Sequence, residues 1–105
     1  MTANPIKVPA MPPTFDGVGE FGEPIATREL VSEDHGGSVV VALGAPRPDP
    51  DRDGIWLCPW RIDGIGETWA TGNPGRGTDS WQALTSAITI AMAALEGSGH
   101  PVQPA

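Results

Sequence analysis

The longest stretch of this chain free of glycine and proline lies between Gly77 and Gly97, and it is the interval suited to a long helix. Elsewhere 14 glycines and 12 prolines, about twice the usual share, cut the 105 residues into short pieces. A chain so punctuated cannot be packed from end to end. Asp79 suits the N-cap, because its carboxylate can accept from first-turn amides, and Gln82 three positions on completes a capping-box-like pair. Gly97 stands where a glycine stop belongs. Steps of ~100° per residue leave Gln82, Thr85, Ser86, Thr89, Ala93 and Glu96 on a narrow polar arc. The stripe Trp81, Leu84, Ile88, Met92 and Leu95 is then expected to cover a sheet. That leaves a second ridge, Ala83, Ala87, Ala91 and Ala94 bordered by Ile90, as a candidate interaction surface.

Around the helix the sequence divides into three parts. Residues 1–24 hold five prolines and three glycines without periodicity, which predicts a flexible segment whose Phe15 and Phe21 could pin it to a surface. Residues 25–96 form the single small domain, and 97–105 are expected to be a disordered tail. Within the domain Ile25–Ser32 and the β-branched run Ser38–Leu43 read as strands joined by a glycine turn. Ile55–Ile62 reads as a third strand. Alternation sends its Trp56, Cys58, Trp60 and Ile62 to one face, with Ile55, Leu57, Pro59 and Arg61 on the other. Pro59 cannot donate to a ladder and belongs at an edge or bulge. Glu67–Thr71, through Trp69, is the expected fourth strand. The fold class is therefore α+β: a four-stranded, mainly antiparallel sheet with one C-terminal helix across a face.

Composition narrows the function. Six Lys and Arg against thirteen Asp and Glu leave a net charge of −7. Residues 25–96 have five arginines, no lysine and ten acidic side chains, which argues against nucleic acid even with four tryptophans to stack on bases. Trp56, Trp60 and Trp81 are better used as core, with Trp69 open. No apolar run is long enough for a membrane span, no signal-peptide h-region opens the chain, and one cysteine excludes a disulfide framework or thiolate-rich zinc site. A cytoplasmic location is the simplest expectation.

Three short motifs bear on chemistry. Asp49-Pro50-Asp51-Arg52-Asp53-Gly54 matches the opening of a calcium loop, but Trp60 occupies the twelfth position, where a bidentate Glu is needed. A solvated acidic loop is the expectation, and no metal site is assigned. Gly72–Thr78 leads into a helix N-terminus, yet Thr78 stands where a phosphate-binding loop needs lysine, and a flexible connection is expected. Cys58 with His35 is the one pair able to make a thiolate nucleophile, but a cysteine in an alternating strand is better read as core.

Gly44-Ala45-Pro46-Arg47-Pro48-Asp49, Trp56-Leu57-Cys58-Pro59-Trp60-Arg61-Ile62-Asp63-Gly64-Ile65-Gly66 and Asp79-Ser80-Trp81-Gln82-Ala83-Leu84 together resemble an uncharacterised family of small bacterial domains. The likeness covers about Ile25 to Leu95, and its most specific part is the Cys-Pro-aromatic-x-Ile-Asp-Gly segment. It implies a compact, strand-rich domain closed by one helix, and carries over no activity or catalytic residue. The chain departs from the pattern in its longer proline-rich N-terminus and in Trp81, where an aliphatic residue is expected.

Two function classes follow. The first is a non-enzymatic protein-binding domain of bacterial or phage origin, in an immunity, anti-defence or regulatory role, with no cofactor and no catalytic residue. Its partner is another protein or a second copy. A homodimer through the alanine ridge competes with cover of that ridge by the tail around Phe15 and Phe21. The alternative is a small enzyme or ligand-binding protein with a pocket between sheet and helix near Cys58, Trp60 and Asp63.

Overall fold

The computed structural model describes residues 14–15, 19–34, 36–64, 73–99 and 101–105. Its elements in chain order are β1 (Thr14–Phe15), β2 (Gly19–Glu20), β3 (Ala26–Ser32), β4 (Ser38–Leu43), β5 (Arg47–Pro48), β6 (Trp56–Cys58), β7 (Trp60–Asp63), β8 (Gly75–Gly77), α1 (Ser80–Gly97) and β9 (Val102–Pro104). The architecture is α+β, with a four-stranded antiparallel sheet in the order β7-β4-β3-β9 and a smaller sheet β5-β6-β8. Among the described residues no helix is long and apolar enough to cross a membrane.

The two sheets share one bent hairpin. The expected single strand Ile55–Ile62 is interrupted at Pro59, and its halves, β6 and β7, belong to different sheets. Leu43 pairs with Trp60 on one side of the break and Arg47 with Leu57 on the other. Gly44, Ala45 and Pro46 therefore face only Cys58 and Pro59, one extra residue that bends the ladder as a bulge does. Pro59 has no amide to give, but its carbonyl accepts from the Gly44 amide at 2.9 Å. The alternation survives the bend. Trp56, Cys58, Trp60 and Ile62 pack in the core beneath the helix, while Ile55 and Leu57 join Phe21 and Ala42 in a second cluster.

On both sides of the expected domain, described residues outside 25–96 belong to the packed unit. The expected tail supplies β9, which pairs with β3 from Leu30↔Pro104 to Ser32↔Val102, and Glu33 donates to the Pro101 carbonyl at 2.9 Å. It takes the fourth place in the sheet that the sequence assigned to Glu67–Thr71, a segment outside the described residues. At the other end Phe21 is 1% exposed. Burying such a ring contributes about 1.5–3 kcal/mol, and Arg47 holds it in place by donating to the carbonyls of Glu20 at 2.7 Å and Phe21 at 3.0 Å. The Arg61 guanidinium lies 4.8 Å from the Phe21 ring centre. The packed unit thus begins before residue 25 and continues beyond 96.

Helix α1 starts as its caps require. Asp79 accepts from the Gln82 amide at 2.7 Å, and Gln82 reaches back to the Thr78 amide at 2.9 Å. Its end is displaced from expectation: Gly97 is still helical, and the left-handed residue is Gly99, at φ +80°. The larger correction is the helix's rotation. Ala83, Ala87 and Ala91 are fully buried, and Ala94 and Ile90 are half-buried against the same core, so the ridge is not an exposed interaction surface. Trp81 is 72% exposed and Ile88 44%, although both were expected to face the sheet. The cause is β8. A Cβ on Gly75 would strike the Ala87 amide and the Ala83 carbonyl, and one on Gly77 would lie 2.6 Å from the Ala83 amide nitrogen. Two residues without side chains let a strand press backbone to backbone on the alanines, which draws the helix over the smaller sheet.

Candidate interaction groove

Because α1 is drawn toward β8 and β6, the β3 side of the larger sheet is left partly uncovered. The register pairs Ala26 with Leu43 and Arg28 with Val41, so these four side chains share the face beneath the helix. Ile88 and Met92 of α1 form the opposite wall, and together the six residues line an apolar groove of about 220 Å³. Its apolar wall is already in place: Ile88 stays 44% exposed, with nothing packed over it among the described residues. From Ile88 and Met92 the groove continues into a wider, open depression of about 860 Å³ between the C-terminal half of α1 and the residues Gly99, Pro101 and Val102. Arg28 is the cation in the narrow part. It takes part in no ion pair or side-chain hydrogen bond among the described residues.

Among the described residues, neither the groove nor the depression is lined by Cys58, Trp60 or Asp63, where a pocket is expected. Cys58 is fully buried, with its thiol donating to the Gly44 carbonyl at 3.3 Å. Burial pushes its pKa up to about 11, and the nearby Arg47 offsets only part of the rise. Such a thiol is held neutral and is no nucleophile at ordinary pH. Trp60 is 3% exposed and donates its indole N–H to the Asn73 carbonyl at 2.8 Å. Asp63 faces Arg61 at 3.3 Å. The sheet–helix opening exists, but other residues line it. His35, His100 and Trp69 lie outside the described residues, as does the side chain of Phe15.

The aspartate loop does other work. Asp49 accepts from the Asp51 amide at 2.8 Å and faces Arg76 of β8 at 3.7 Å, tying the loop to the strand beneath the helix. Asp51 and Asp53 point to solvent, and no cluster of three potential metal ligands occurs among the described residues. The expected flexible connection at Gly72–Thr78 is in its described part strand β8.

Sequence reasoning missed the groove because it centred the buried face on the wrong ridge: Leu95 is buried and Leu84 and Met92 pack against the core as expected, but the alanines take the centre and Trp81 and Ile88 are left outside. A usable signal was present in Gly75-x-Gly77 close before a helix carrying Ala83, Ala87 and Ala91: small residues on both partners permit close backbone approach, and the larger side chains must then face elsewhere.

A family model described as "Domain of unknown function (DUF6968)" matches residues 26–103. Those residues take in β3 through most of β9, and so every wall of the groove. No curated protein and no solved structure matches the chain.

Proposed function

The chain belongs to the DUF6968 family, and from the geometry of its groove we propose that it is a non-enzymatic protein-binding domain. One observation carries the reading: Ile88 and Met92 stand as an apolar wall over a stretch of sheet that the helix leaves uncovered. Keeping an isoleucine in water gives up part of the ~1.5–3 kcal/mol its burial would contribute, so the exposed wall is a ready contact for a partner. The described residues that line the narrow groove include no nucleophile–base pair, which favours a binding surface over an active site. An immunity, anti-defence or regulatory role fits a small acidic chain of this kind, and the partner is another protein.

The test compares tagged parent and Ile88→Asp as baits in the chain's own cells. Ile88 is already partly in water, so its replacement leaves the fold in place, as circular dichroism would verify. A partner retained by the parent and lost by the variant is expected. Identical captures by the two baits would remove the groove from consideration.

A further inference from the structure

The groove is bordered by something more specific than apolar surface, namely an open strand edge. Strand β9 pairs with β3 only from Leu30 to Ser32, and on that edge, opposite to the one β4 pairs with, no strand lies beside Ala26 to Arg28 among the described residues. The direction of each backbone group there follows from two hydrogen bonds. Ser32 donates to the Gly37 carbonyl, toward β4, whereas Glu33 donates to the Pro101 carbonyl, away from it. Backbone groups alternate along a strand, so Thr27 aims its N–H and C=O outward over the open edge. On either side of it, Ala26 and Arg28 present their side chains to the groove.

Building on the protein-binding reading, we propose that the groove is occupied by an extended strand of a partner protein that adds to β3 beside Ala26–Arg28. This is β-augmentation, in which main-chain hydrogen bonds give affinity and side-chain pockets give selectivity. The strand runs antiparallel to β3, the commoner pairing and the direction β9 already takes on the same edge. Its residue opposite Thr27 exchanges backbone hydrogen bonds. Its neighbour opposite Arg28 is acidic, since Arg28 is a cation without a counter-charge among the described residues that line the narrow groove. Its neighbour opposite Ala26 is a branched aliphatic, which fills the space left by the alanine methyl below Ile88 and Met92. The recognised pattern is therefore acidic-x-aliphatic.

A second copy of this chain fits the edge less well. A two-fold pairing that bonds Thr27 to its counterpart sets each Arg28 opposite the other copy's Ala26, and the groove-facing residues Ala26, Arg28 and Leu30 offer no carboxylate. The charge that the edge calls for must come from a different sequence.

The experiment titrates the isotopically labelled full chain with the C-terminally amidated peptide Glu-Thr-Ile-Thr-Gly, which starts where β9 leaves the edge, and follows amide exchange by NMR. Saturation should slow exchange at Thr27. A peptide N-methylated at the threonine between Glu and Ile should bind about tenfold more weakly, the cost of a lost main-chain bond of about 1.4 kcal/mol. Arg28→Glu should weaken the parent peptide and restore binding to the version with Lys in place of Glu. Equal binding of the N-methylated peptide with unchanged Thr27 exchange would overturn strand addition, while leaving the Ile88-dependent capture to decide the broader reading on its own. Absence of binding by any of the peptides at millimolar concentration would also overturn it. So would a parent chain that light scattering shows to be dimeric with Thr27 already protected.

Discussion

Gly75 and Ala87 meet backbone to backbone, so that a side-chain carbon on the first would fall on the amide of the second. The contact sets the helix's rotation, and with it the groove. Gly75→Ala should destabilise the domain by about 3 kcal/mol, at the upper end of overpacking costs, because neither neighbour is a flexible side chain that could move aside. Urea denaturation would check it, and an unchanged midpoint would mean that the strand and helix are farther apart than described.

Asp79→Ala should cost about 1 kcal/mol, the usual price of a lost N-cap. The carboxylate satisfies the Gln82 amide, and alanine cannot. Asp79→Asn should retain most of that stability, which a pair of thermal melts would show.

Arg47→Ala should destabilise by about 1–2 kcal/mol, because its guanidinium serves two carbonyls at once, those of Glu20 and Phe21. Lysine at the same position cannot reproduce the fork. The diagnostic readout is local: Phe21 ring resonances should lose their buried shifts in Arg47→Lys while the rest of the spectrum holds.

The sequence made the α+β class, the helix cap and the strand alternation legible, since caps and periods of two are local properties of neighbouring residues. Trp56 to Ile62 kept their faces even through a break at Pro59. The helix rotation was not legible, because bulk suggested that Trp81 and Ile88 should be buried before the alanines. Size alone misleads where the facing strand is glycine. Strand β9 was missed for a related reason: Pro101 and Pro104 argue against a strand, but Pro101 needs only its carbonyl to pair with Glu33. The groove inherits the first of these errors, as its walls exist only once the helix has turned.

Cys58 offers a pH-dependent check. Its pKa rises from 9.0 to about 11 in the folded chain because burial disfavours the thiolate. The folded state therefore holds this proton more tightly than the unfolded one. The associated stability is fully present below pH 9 and declines as pH climbs through about 11. Cys58→Ala should lose that alkaline contribution. Iodoacetamide should label the native thiol slowly at pH 8 and the urea-unfolded thiol readily, and equal rates would show that Cys58 is accessible.

The hairpin bent at Gly44 and Pro59 lends one half to each sheet, and the helix lies over strands of both. Neither sheet can melt without taking away the support of the other. The molecule should therefore open as one cooperative unit, with amides of β4, β6 and β7 exchanging only through global unfolding. The exposed rim of β3 should exchange much earlier, so that the part left pliable is the edge where a partner's strand would be received.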